Sequence, residues 1–168
     1  MNSYLLISIL RFTVLFLAQV WLFNNIEFWG FLNPFVYILY VLLYPVNANK
    51  SFLLISSFFM GLLMDMFFNT GGVHTTATLV LAYIRPTLFR FAYGVSYEYN
   101  TIKITDKFTS ETFILVLLSV GIHHFILYNL EIFKIALLWD ILWKSIANIV
   151  LTTTTVILIL LFLKPTKR

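Results

Sequence analysis

The sequence predicts an all-α integral membrane protein, a bundle of six transmembrane helices in one domain spanning residues 1–168. Three observations carry that expectation. Of the 168 residues, 61% are hydrophobic and only 11% are charged, against about 45–50% and about 25% in soluble domains. A soluble fold this small could not cover itself with so little polar surface, whereas lipid lets apolar side chains face outward. The apolar residues also fall into runs near the length of about 20 residues that a spanning helix needs. Finally, the few basic residues gather in alternate connections between those runs.

The elements follow in order. The first predicted helix covers residues 4–23. Met1 to Ile9 holds no Lys or Arg, so the basic leader of a signal peptide is missing and the run reads as a retained span. Asn24, Asn25 and Glu27 break the pattern. The second helix is expected over 28–44, with Asn33-Pro34 kinking or delaying its start. Pro45 to Lys50 ends it, and the third helix covers 51–68. Asn69 to Gly72 forms a tight turn, because glycine adopts φ > 0 cheaply. The fourth helix covers 73–91. Residues 92–110 form the one long polar loop, with a possible short hairpin or interfacial strand at 95–105. The fifth helix covers 111–130 and the sixth 135–163, before Lys164, Lys167 and Arg168.

Basic residues set the orientation. With the N-terminus in the cytoplasm, the inner connections hold Lys50, Arg90, Lys103, Lys107, Lys164, Lys167 and Arg168, with Arg85 near a helix end. The outer ones hold Lys134 alone. The positive-inside rule therefore places both termini in the cytoplasm. Trp21, Trp29, Trp139 and Trp143 all fall on the outer side, where indoles mark the headgroup level. Tyr40 and Tyr44 suit the inner interface.

Polar groups within the apolar runs are candidates for function, since lipid makes them expensive. Arg11 either contacts a partner or snorkels to phosphates. Gly61 and Asp65, four residues apart, share a helix face. The glycine permits close helix approach, so Asp65 either meets a donor on a neighbouring helix or caps the glycine-rich turn. His74, just past Gly72, either pairs with Asp65 or a partner, or satisfies the turn. Pro86 frees the carbonyl around Ala82, and Arg85 either satisfies that carbonyl or binds lipid phosphate. His123 and His124 are adjacent and point about 100° apart, so they make no helical metal pair. Asp140, Lys144 and Asn148 recur every four residues with Thr152, a polar stripe expected to face protein. Thr152 to Thr155 can return hydroxyl bonds to their own helix.

Some chemistry is excluded. Without cysteine there is no disulfide, thiolate metal site or thiol nucleophile. The seven carboxylates are scattered, and no P-loop, dinucleotide glycine pattern or HExxH occurs. The expectation is a non-enzymatic protein with no cofactor and no bound metal. The net charge of +4 is too sparse for nucleic-acid binding.

Residues 61–86 read GLLMDMFFNTGGVHTTATLVLAYIRP. The segment resembles the rod shape-determining MreD family, particularly its Bacteroidetes-type members. Gly-Leu-Leu-x-Asp at 61–65, Gly72-x-His74, and Ala82-Tyr83 before Arg85-Pro86 carry the likeness; the other helices match by hydropathy, and the 92–110 loop matches no family motif. The resemblance implies a scaffold of the bacterial inner membrane. Its expected partners are an MreC-like single-span protein, RodA with its penicillin-binding transpeptidase, the MreB cytoskeleton indirectly, and membrane lipids. It also implies a fold similar to the S component of energy-coupling-factor vitamin transporters, which supplies the alternative of a small-molecule binding subunit. Recognition is expected at Gly61, Asp65, Gly72, His74, Arg85, Pro86, Asp140, Lys144 and Asn148.

Overall fold

Apolar runs without soluble-type surface become long helices in the computed structural model, which describes residues 3–26, 30, 32–94, 104–105, 108–131 and 138–164. The helices are α1 (Ser3–Trp21), α2 (Ile38–Leu43), α3 (Lys50–Phe68), α4 (Val73–Tyr93), α5 (Ser110–Glu131) and α6 (Leu138–Phe162). A 3-10 turn, Phe23–Asn25, follows α1. Among the described residues there is no strand. The expected strand at 95–105 lies outside them except for Ile104 and Thr105, which form a turn with Ile104 buried. Trp29, Lys134, Lys167 and Arg168 also lie outside them.

Four helices are long and apolar enough to cross a membrane: Leu5–Asn25, Lys50–Phe68, Ser110–Glu131 and Leu142–Phe162. The chain is thus a multi-pass membrane protein. Two of the six expected spans depart from that pattern. α4 has 21 residues, about 31 Å of helix, but carries His74, four threonines, Arg85, Pro86 and Arg90. Its polarity has a packing cause. α4 touches α2, α3 and α5, and His74, Thr75, Thr78 and Arg85 are buried against them.

The second departure is a correction. Of the expected helix over 28–44, the described residues are helical only at Ile38–Leu43. Residues 33–35 have no regular structure and 36–37 form a turn. Yet this segment lies deepest in the protein. Val36 to Leu42 are each at most 1% exposed.

The packing fixes the direction of each element. Arg11 of α1 meets Leu43 at the end of α2, and Phe16 packs edge-on against Phe67 at the far end of α3. Tyr40 hydrogen-bonds Ser56 near the start of α3. Tyr93, ending α4, meets Thr112, opening α5. Successive elements therefore alternate in direction, with the 32–44 segment enclosed by α1, α3, α4 and α6.

Candidate functional site

Gly61 and Asp65 form the first part of the polar interior. A Cβ on Gly61 would sit 2.4 Å from the Thr75 Cα and 2.8 Å from the His74 carbonyl oxygen. α4 therefore crosses α3 with its backbone against the glycine. One turn later, Asp65 accepts the backbone N–H groups of His74 and Thr75, each at 2.9 Å, and the hydroxyls of Thr70 and Thr75. The N-cap of α4 is Gly72, at φ 93°, and has no side chain to cap with. The carboxylate from α3 replaces it, and negative charge suits a helix N-terminus. Asp65 is 5% exposed and His74 2%, so the Gly61–Asp65 face is used inside the protein.

The second part surrounds the broken segment. Backbone that is neither helix nor sheet must find other partners once water is absent. Asn33 N–H donates to Asn148 Oδ1 at 2.9 Å, and Phe35 N–H to Thr152 Oγ1 at 3.2 Å. Gln19 Oε1 accepts the N–H groups of Val36 and Tyr37 at 2.7 and 3.3 Å, while its Nε2 donates to the Pro34 carbonyl at 3.2 Å. At the other end, Arg11 donates to the Leu43 carbonyl, and Arg85 to the carbonyls of Leu42 and Tyr44. α2 is thus supplied with acceptors at its start and donors at its end by α1, α4 and α6. Arg85 also lies 4.4 Å from the centre of the Phe89 ring. It satisfies α2 rather than the carbonyl freed by Pro86.

The third part is a chain of rings. The Tyr37 hydroxyl lies 2.9 Å from His74 Nδ1 and 2.8 Å from His123 Nε2. His124 Nδ1 lies 2.9 Å from the Val120 carbonyl. A carbonyl only accepts, so that nitrogen carries the proton. His124 Nε2 must then accept from Thr152 Oγ1, 3.1 Å away. The Tyr37 hydroxyl has one proton for two imidazoles. His123 Nδ1 is buried without a partner, and an orphan acceptor is easier to tolerate there than an orphan donor. His123 therefore donates from Nε2 to Tyr37, and Tyr37 donates to His74. Phe68 stacks on His74 at 4.7 Å and Phe35 meets it edge-on at 5.2 Å.

The structure brings most of the expected residues into one interior. Gly61, Asp65, Gly72 and His74 join α3 to α4, Arg85 closes α2, and Asn148 holds residue 33. Lys144 lies higher on α6 and is half-buried, offering its carbonyl to Asn148. The Asp140 side chain lies outside the described residues. Thr152, which the sequence placed both in the polar stripe and among threonines able to bond their own helix, meets other elements at Phe35 and His124. Gln19, Tyr37, His123 and His124 were missed as a group. Their signal is that each is a polar group in an apolar run, but the run does not say they converge. Among the described residues, no three His, Asp or Glu side chains are placed to hold a metal.

No protein-family model matches the chain, and neither a curated protein sequence nor a solved structure matches it.

Proposed function

We propose that the protein is a non-enzymatic scaffold of the MreD type in the bacterial inner membrane. In this reading it binds the single transmembrane helix of an MreC-like protein and, through it, links RodA, its transpeptidase partner and the MreB cytoskeleton to lateral wall synthesis. The observation that carries the reading is the 61–86 segment. Gly61, Asp65, His74 and Arg85 of that resemblance lie in the α3–α4 junction or the α2 closure, while Leu62 and Tyr83 face outward. A likeness in residues that hold a fold together supports a likeness of fold, including six passes with both termini cytoplasmic and a similarity to S components. It leaves recognition to the outward faces.

The transporter alternative has less support. A ligand site toward the outer side would occupy the polar interior, and Phe35 and Tyr37 fill that interior, at 5% and 0% exposure.

The test is site-specific photo-crosslinking in cells from outward positions on separate helices: Leu10, Phe59, Leu117 and Val150, all exposed. The expected result is a crosslink from one face to a single-span MreC-like protein, with co-purification lost when that face alone is altered. Crosslinks to lipid only, from all four positions, would overturn the scaffold reading.

A further inference from the structure

At the end of the bundle where α2 stops and α3 begins, a cleft of about 510 Å³ opens between the 44–48 turn and α4. We propose that it binds the phosphate headgroup of an anionic phospholipid. The inference stands on the cleft itself and does not depend on the scaffold reading.

Among the described residues, the charged ones lining the cleft are Lys50 and Arg85, both positive. Arg85 is 6% exposed and held on the carbonyls of Leu42 and Tyr44. It is a fixed positive charge in the wall, placed by the fold. Lys50 is exposed at the mouth and has the flexible reach to meet a phosphate as a point charge. Pro86 has no N–H, so Ala82, which also lines the cleft, lacks its usual helical donor. That carbonyl suits a headgroup hydroxyl. The first-turn amides of α3 are not the attraction, because Asn49 already accepts from Ser51 and Phe52.

Position favours lipid over a soluble anion. Arg85 lies eight residues before the end of α4 at Tyr93, about 12 Å along the helix. Leu53, Leu54 and Val46 supply apolar wall, and Tyr83, also in the lining, is 74% exposed at the side. A phosphodiester could thus enter with its chains lying along α3 and α4, in the manner of basic pockets between membrane helices.

The experiment uses the full chain, purified in detergent. Bound lipid is counted by native mass spectrometry, and thermal stability is read with phosphatidylglycerol, phosphatidylcholine or inorganic phosphate added. Phosphatidylglycerol should be retained and should stabilise, and phosphatidylcholine should not. Lys50→Gln should reduce retention several-fold, and Ala48→Phe, which fills the cleft from its rim, should abolish it. Neither removes an interior hydrogen bond, so both variants should fold with unchanged helix content. Equal retention of phosphatidylglycerol by both variants would overturn the proposal. Stabilisation by inorganic phosphate to the same degree as by phosphatidylglycerol would overturn the lipid assignment.

Discussion

Gly61 and Gly121 both lie within helices, and the structure treats them oppositely. A methyl on Gly61 meets α4 backbone at 2.4 Å, while a methyl on Gly121 meets nothing within 4 Å. Backbone cannot yield as a side-chain tip can, so Gly61→Ala should cost about 1–3 kcal/mol through overpacking. Gly121→Ala should be neutral, or stabilising by up to about 1 kcal/mol from helix propensity. Thermal unfolding of the two purified variants checks the contrast, and equal midpoints would count against the close crossing. Asp65→Asn keeps an acceptor for one backbone N–H but turns an amide NH2 toward another donor. It should destabilise by about 1–3 kcal/mol, as expected when a buried donor loses its partner. Asp65 as a cap was one of two readings open from sequence, because a turn with glycine at the N-cap has no side chain to cap α4. Arg85 was less legible. Its acceptors are the carbonyls of Leu42 and Tyr44, more than forty residues away, and no local pattern announces them.

At the scale of elements, the 32–44 segment explains why the helix expected at 28–44 is mostly absent. Asn33-Pro34 did signal a break. What the sequence could not display was that irregular backbone would be stable there, since its partners are Gln19, Asn148 and Thr152 on two other helices. Nor does periodicity help, because a segment buried on every side is apolar on every side. The long helices were legible for the converse reason: α1, α3, α5 and α6 show lipid one wide face, so length and hydropathy suffice. Gln19 is the sharpest test of the segment. Gln19→Leu removes the acceptor of the Tyr37 N–H and leaves the Val36 N–H and the Pro34 carbonyl with only each other. A buried group left without its partner costs about 1–3 kcal/mol, so the variant should unfold below the parent. Thr13→Val is the control on the same helix. Thr13 is outward and bonds only its own helix at Ile9, and its replacement should leave the midpoint unchanged.

For the whole molecule, the remaining question is whether the short helix and the irregular residues before it carry the chain across the membrane. Six helical residues supply about 9 Å, and residues 32–35, ahead of the 36–37 turn, supply at most about 13 Å. The sum is about 22 Å against the roughly 30 Å of a hydrocarbon core, so length alone does not decide the matter. The geometry agrees on direction, since the turn after α1 and the α3–α4 turn lie at one end, and the α2–α3 turn and the end of α6 at the other. The absence of cysteine makes this directly measurable. Single cysteines replace exposed residues in four variants: Asn25→Cys, Asn47→Cys, Gly71→Cys and Lys164→Cys. A membrane-impermeant maleimide applied to spheroplasts should label positions 25 and 71. Positions 47 and 164 should react only after permeabilisation. If 32–44 dips in and returns on the same side, positions 25 and 47 will share a side. The basic residues predict otherwise: Lys50 lies beside position 47, and drawing it to the outer face would set the positive-inside bias against the packing.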